Sequence, residues 1–160
     1  YNLYEYHSER GDYMKIGFAS DHRGYKLKEQ LKEELLKRNY EVVDYGTDSE
    51  ESTDYPDYAF KLGENIVNKN ADFGVAICGS GIGISIACNK VKGIRCAKVD
   101  SIKDVIATRN DNDTNIVAFG ESKTLEEALE LVLTFITTPC SMEEKHVRRR
   151  NKVINYEEQA

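Results

Sequence analysis

The chain has 160 residues, enough for one domain with a real core. A hydrophobic share of 40%, a charged share of 31% and a formal net charge of −6 describe a globular chain and argue against nucleic acid as its main partner. No apolar run approaches the roughly 20 residues of a membrane span. The polar start Tyr1–His7 has no leader-like core, and Cys78, Cys88, Cys96 and Cys140 are not in metal-ligand spacing, so a reducing cytoplasm is expected.

Residues 1–13 carry neither strand nor helix periodicity and precede the first methionine, Met14. They read as an extension foreign to the fold, or else as an arm that packs on a neighbour. Residues 14–160 read as a single domain. Lys15–Ala19 is a short apolar strand, followed by the polar loop Ser20–Gly24. Leu27, Leu31 and Leu35 recur every four residues and predict an amphipathic helix to about Arg38. Glu41–Asp44 is a second strand. A turn-rich loop, Tyr45–Pro56, leads to a helix marked by Ala59, Leu62 and Ile66. Phe73–Ile77 is a third strand, Ile82 to Lys90 a third helix and Ile94–Val99 a fourth strand. Ser101 with Asp104 predicts a capped helix through Arg109, and Ile116–Phe119 is a fifth strand. Thr124 with Glu127 forms a capping box for a helix to about Ile136. Ser141 with Glu144 reads as a second capping box, opening a basic C-terminal helix. Alternating strands and helices predict a three-layer α/β/α, Rossmann-like domain with a five-stranded parallel sheet. Its site is expected beyond the carboxyl ends of the strands.

The most informative segment is Ile77-Cys78-Gly79-Ser80-Gly81-Ile82-Gly83, where a buried strand ends in a thiol and a glycine loop opens a helix. Such a loop gathers N–H groups, and the helix dipole there favours negative charge, including a thiolate. The spacing fits neither a P-loop nor the G-x-G-x-x-G fingerprint. A thiol phosphatase would place an arginine six residues after the cysteine, and Ile84 stands there. Cys78 is therefore read as functional, against the alternative of an inert buried cysteine. Cys88 and Cys96 read as core. Asp21-His22 is either a turn or a pair that grips a polyol. Asp111 to Asn115 is either a helix end and turn or part of a pocket. Lys145, His146 and Arg149 lie on a charge run that is either a solvated face or, with Lys145 and Arg149 four apart, a clamp for one dianion.

Taken together, Ser20-Asp21-His22, Tyr45-Gly46-Thr47, Thr53-Asp54-Tyr55-Pro56, the glycine loop, Asn89-Lys90, Gly93-Ile94-Arg95, Asn112-Asp113-Thr114-Asn115, Ala118-Phe119-Gly120 and His146 with Arg149 resemble the ribose-5-phosphate isomerase B family, which is grouped with the galactose-6-phosphate isomerase subunits. The resemblance runs from Met14 to about Glu157. It implies an aldose–ketose isomerisation of a phosphosugar, through an enediolate, with no metal and no organic cofactor. Cys78 would be the base, with Ser80 moving protons at O1 and O2. The N–H groups of Gly79, Ser80, Gly81, Ile82 and Gly83 would hold the developing oxyanion. Asp21, His22, Tyr55 and Asn112 would bind the sugar, and Lys145, His146 and Arg149 the phosphate. The family builds its site between subunits, so a homodimer or a dimer of dimers is implied.

Three positions depart from the family pattern. Asp111 stands where the family has its ring-opening histidine and would act as catalytic base on the anomeric hydroxyl unless His22 substitutes; Lys145 stands where arginine is common, and Ser122, beside Lys123, where a further arginine is often found. Ribose 5-phosphate is the leading substrate. A six-carbon sugar phosphate, such as allose or galactose 6-phosphate, and a free aldose remain open, as does a non-catalytic phosphosugar-binding module.

Overall fold

The computed structural model describes residues 14–160, so the reading of residues 1–13 lies outside it. The elements are β1 (Lys15–Ser20), α1 (Tyr25–Lys37), β2 (Glu41–Asp44), α2 (Tyr55–Val67), β3 (Phe73–Cys78), α3 (Ile82–Cys88), β4 (Cys96–Lys98), α4 (Ile102–Asn112), β5 (Ile116–Gly120), α5 (Leu125–Thr137) and α6 (Glu144–Glu158). The five strands form one parallel sheet in the order β2-β1-β3-β5-β4. The inner strands β1, β3 and β5 are buried on both faces, which is why they read as continuous apolar runs. Ile16, Phe18, Val75, Ile77, Val117 and Phe119 pack on one face against Leu27, Leu31 and Leu35 of α1 and Val132 and Phe135 of α5. Ala19, Ala76 and Ala118 face the other side, against Leu62 and Ile66 of α2 and Ile84 and Cys88 of α3. Small residues on that second face let α2 and α3 come close to the sheet.

The expected α/β/α architecture is therefore present. Helix α3 stops at Cys88, short of the expected Lys90, and three further boundaries differ. Strand β4 is shorter than Ile94–Val99. It is an edge strand, and the Asn89 amide covers its outer side, donating to the Cys96 carbonyl at 2.9 Å and accepting from the Cys96 N–H at 2.8 Å. Helix α4 runs past Arg109 to Asn112 and ends at Asp113 in a left-handed conformation. Arg109 fastens that end, donating to the Asp113 carboxylate at 2.8 Å and to the Thr114 carbonyl at 2.7 Å. The second capping box does not form. Helix α6 starts after Glu143, and the Ser141 hydroxyl instead accepts from the Glu143 N–H at 3.0 Å, in a turn before the helix. The other two caps form as expected, Ser101 on α4 and Thr124 with Glu127 on α5.

The strand order reverses between β1 and β3, since α1 lies on one face of the sheet and α2 on the other. Ligands of open α/β sheets bind at the carboxyl side of this switch point. Here those ends are Asp21-His22 after β1 and Cys78-Gly79 after β3.

Candidate active site

Cys78 ends β3 with only 4% of its surface exposed. The loop folds back over it, and the Gly81 N–H points at its sulfur, 3.1 Å away. Gly81 is left-handed (φ +80°), and a Cβ there would lie 2.6 Å from the Phe119 carbonyl carbon. Glycine is thus required twice over, by backbone conformation and by the close approach of β5. The Ser80 hydroxyl accepts from the Ile82 N–H at 3.1 Å and keeps its own proton to donate. The next N–H groups of α3, on Gly83 and Ile84, have no intrahelical acceptor and converge at the mouth of the loop.

The β1 end supplies the opposite wall. Asp21 is buried, and one carboxylate oxygen accepts from the N–H groups of Arg23 (3.0 Å) and Gly24 (3.1 Å). The turn reading of Asp21 is therefore correct for one oxygen, and the other carries no hydrogen bond among the described residues. His22 Nδ1 accepts from the Thr53 N–H at 3.2 Å, so the neutral ring carries its proton on Nε2. Thr53 is itself bonded to the Tyr58 hydroxyl at 2.7 Å. Tyr55 opens α2 with its ring against Gly83, where a Cβ would stand 2.7 Å from the ring. Asp21, His22, Tyr55, Cys78 and the loop Gly79, Ser80, Gly81, Ile82 and Gly83 thus surround one mouth.

Two ionic groups here were not visible in the sequence. Arg23 reaches across Gly79 to pair with Glu121, whose N–H donates to the carbonyls of Cys78 (3.0 Å) and Gly79 (3.3 Å). Deeper, Lys28 is completely buried and donates to both oxygens of Asp44 at 2.7 and 2.8 Å, and to the Thr47 carbonyl. Burial pushes the Asp44 carboxyl up, but hydrogen bonds from Lys28, Lys32 and the Gly46 N–H outweigh it and hold the group below the ordinary carboxylate range. This network anchors the β2–α2 loop, where Gly46 and Thr47 trade backbone hydrogen bonds with Ser20.

The remaining expected site residues lie elsewhere in the chain. The loop Asp113–Asn115 precedes β5, beside the start of β3, where Gly74 donates to the Asn115 carbonyl. It is therefore an amino-end loop, not one of the carboxyl-end loops, about 13 Å of strand away from Cys78. Asp111 and Asn112 sit in the last turn of α4 at that end. Asp111 lies 3.6 Å from His146 Nε2, and its carbonyl accepts from Arg150. Asn112 and Arg149 line one cavity of about 680 Å³ with Asn89, Cys96, Thr108 and Thr114. Lys145 leans toward Glu143 at 3.7 Å, whereas Arg149 has no carboxylate partner among the described residues. Lys123, beside Ser122, donates to the Asp100 carbonyl.

The other cysteines are separate from the mouth. Cys88 is core, and a hydrogen bond with Cys88, together with burial, pushes the half-buried Cys96 thiol well up. No group of three or more metal-ligating side chains occurs among the described residues, and no helix there is long and apolar enough to cross a membrane.

A thiol beneath a glycine loop, at the switch point of a doubly wound sheet, places the protein among α/β enzymes that work at the carboxyl ends of their central strands. The chain belongs to the ribose/galactose isomerase family, whose model matches residues 16–153. Bacillus subtilis YwlF is 43% identical over 148 residues, covering 91% of this chain and 98% of its own. Ribose-5-phosphate isomerase B of Escherichia coli is 44% identical over 106 residues, 66% of this chain and 71% of that protein. Among solved structures, ribose-5-phosphate isomerase B of Clostridium thermocellum superposes with a TM-score of 0.87 at 42% identity, covering 91% of this chain and 99% of that one. The fold and the family together make this chain a sugar phosphate isomerase of the aldose–ketose class.

Proposed function

We propose that the protein interconverts ribose 5-phosphate and ribulose 5-phosphate through an enediolate, with Cys78 as the base. The observation that carries this reading is the Gly81 N–H held on the Cys78 sulfur at 3.1 Å, at the switch point of the sheet. That bond fixes the sulfur beneath the loop, and a thiol works as a base through its thiolate, the form that accepts a proton. Cys78 removes the proton from C2 of the open-chain aldose, exchanges it with solvent and delivers a proton to C1. The hydroxyl of Ser80 gives a proton to O1 and takes up the one that O2 releases, so it ends as it began. The free N–H groups of the loop hold the oxygen on which charge develops. The exchange is redox-neutral within the sugar, so it calls for no external electron acceptor. His22, through its Nε2 proton, the free oxygen of Asp21 and Tyr55 orient the sugar hydroxyls. The E. coli and C. thermocellum relatives carry the name ribose-5-phosphate isomerase B, and a Mycoplasma genitalium structure of that name, 34% identical, holds ribulose 5-phosphate.

The phosphate is taken by Lys145, His146 and Arg149, and the pocket is completed by Asp111 and Asn112, all from a second copy of the chain. Strand polarity supports this, because these residues lie at the end of the sheet opposite Cys78 in their own chain. Ile82 and Ile86 of α3 are 54% and 57% exposed beside the loop, a surface suited to a symmetric partner. The protein acts in the cytoplasm, where its four free thiols stay reduced.

The test is a proton NMR time course with ribose 5-phosphate in deuterated water, on the wild type and Cys78→Ser. Ribulose 5-phosphate should appear with deuterium at C1, and Cys78→Ser should lose at least about 100-fold in rate while still binding the sugar. Full turnover by Cys78→Ser removes the base. An inert wild type that converts a six-carbon phosphate instead moves the substrate and keeps the chemistry.

A further inference from the structure

Arg23 and Glu121 are 98 positions apart in sequence, yet they close over the residue that follows Cys78. Asp21 fixes the backbone of the β1–α1 loop through the Arg23 and Gly24 N–H groups. Gly24 presses on the end of β3, where a Cβ would stand 2.5 Å from the Ile77 carbonyl oxygen. From this fixed base the Arg23 guanidinium lies across Gly79. Its Cζ, Nε and Nη1 are each 3.2 Å from where a Gly79 Cβ would be. That places the cation within about 8.5 Å of the Cys78 Cα. Glu121 accepts from Arg23 and is tied by its own N–H to the carbonyls of Cys78 and Gly79. Both charges are thus anchored to the backbone that carries the thiol, one from β1 and one from β5.

We infer that Arg23 is a positioning residue for the reaction: its guanidinium, laid across Gly79, favours the charged form of the Cys78 thiol, and Glu121 opposes it and sets the balance. The inference rests on Cys78 acting as the base. Among the described residues, the ionisable groups placed against the Cys78 loop are Asp21, His22 and Arg23 after β1, Glu121 after β5 and Tyr55 at the start of α2; Lys123, also after β5, is turned to the Asp100 carbonyl. Arg23 is the only permanent cation in that set, and Asp21 and Glu121 are both anions. The attraction is mutual: the Glu121 hydrogen bond and charge, then Asp21 and Cys78, hold the Arg23 guanidinium above its ordinary value against a burial penalty. Removing Arg23 leaves the carboxylates of Asp21 and Glu121 beside the loop without that cation. Removing the Glu121 charge leaves the cation unopposed. A clasp that only held the loop in shape would weaken in the same direction whichever partner was lost.

The experiment uses the full chain with Arg23→Gln, Glu121→Gln, both together, and Arg23→Lys. The rate of Cys78 carboxamidomethylation by iodoacetamide at pH 7 is read on the Cys78 peptide by mass spectrometry. Arg23→Gln should slow the reaction about threefold or more, and Glu121→Gln should speed it by a similar factor. The double variant should return close to wild type, and Arg23→Lys, which keeps the charge, should stay near it. Added salt should shrink the differences, because Arg23 has 59% of its side chain exposed. Equal-signed changes in the two single variants, or no change in either, overturn the inference, and so does a wild-type Cys78 that fails to react even at pH 9. If Arg23→Gln does not fold, Glu121→Gln and Arg23→Lys still decide the sign. Ribose 5-phosphate turnover is measured on the same preparations. An inactive wild type with the alkylation order intact would remove the catalytic reading and leave the electrostatic link standing.

Discussion

Gly81→Ala tests whether the glycine loop is built by geometry that only glycine permits. The new methyl would meet the backbone of Phe119, at 2.6 Å from its carbonyl carbon, 2.7 Å from its Cα and 3.0 Å from its nitrogen. Phe119 lies in β5, buried on both faces, so the loop must yield rather than the strand. Restoring an ordinary contact of about 3.4 Å moves the loop by about 0.8 Å. Alanine at φ +80° adds a left-handed penalty of about 1–2 kcal/mol, and overpacking adds about 1–3 kcal/mol. A displaced loop carries the Gly81 N–H off the Cys78 sulfur and misplaces the thiol, and a shift near 1 Å costs roughly 100-fold in rate. The expected result is a stability loss of about 2–5 kcal/mol by urea unfolding, with kcat/KM for ribose 5-phosphate down about 100-fold. Gly93→Ala is the control. It has the same strained sign (φ +93°), but its methyl meets only the Val67 side chain at 3.1 Å, and Gly93 precedes β4 at the opposite end of the sheet. It should lose about 1–2 kcal/mol and keep its activity. A Gly81→Ala protein within about threefold of wild-type activity would refute the geometric argument.

Lys28→Met removes the buried ammonium, takes two hydrogen bonds from Asp44, which keeps Lys32 and the Gly46 N–H, and leaves the Thr47 carbonyl without its donor, so stability should fall by about 3 kcal/mol, and adding Asp44→Leu should recover part of it. Differential scanning of the two variants decides, and a single-variant loss below about 1 kcal/mol counts against the network. Asp44 titrates below its unfolded value, so its stabilisation is complete above about pH 4 and drains away as the pH falls through the folded value. The stability gap between wild type and Asp44→Asn should therefore narrow from pH 7 to pH 3, and a constant gap would contradict it. Thr124→Ala removes the cap of α5 and should cost about 1 kcal/mol by urea unfolding, with no change in activity.

The fold and the glycine loop were legible because their signals are local. Leu27, Leu31 and Leu35 lie within one helix, and Cys78 to Gly83 are consecutive. Helix α4 was read as ending at Arg109 because Asn110 to Asn115 look like a turn. The structure ends it later, because Arg109 binds Asp113 and Thr114 and so stabilises three more helical residues. That extension is what brings Asp111 beside His146. Strand β4 was overread because nothing in the local pattern reveals that the Asn89 side chain stands in for a neighbouring strand. Arg23 and Lys28 looked like ordinary charges on a loop and a helix. Their partners Glu121 and Asp44 are supplied by other strands of the sheet, so the pairings exist only once the strand order is known.

The placement of charge bears most directly on function. At the Cys78 end, among the described residues, one chain lays Arg23 across the loop, where Glu121 already occupies it, and Lys123 is turned to the Asp100 carbonyl. A phosphate dianion brought there would face the carboxylates of Asp21 and Glu121 with no free cation to answer it. Arg149 is unpaired among the described residues, but it lies at the far end of the sheet with Asn112. If the two halves meet only between copies, a chain lacking Cys78 and a chain lacking Arg149 should complement each other. Cys78→Ser and Arg149→Ala proteins, each inactive alone, would be unfolded together and refolded. Random pairing makes half the dimers mixed, and each mixed dimer has one intact site and one doubly damaged one, so about a quarter of wild-type activity should return. Sites built within single chains would give none, because every site would carry one lesion. Activity near a quarter would also place Arg149 of the second copy among the cations that the substrate requires.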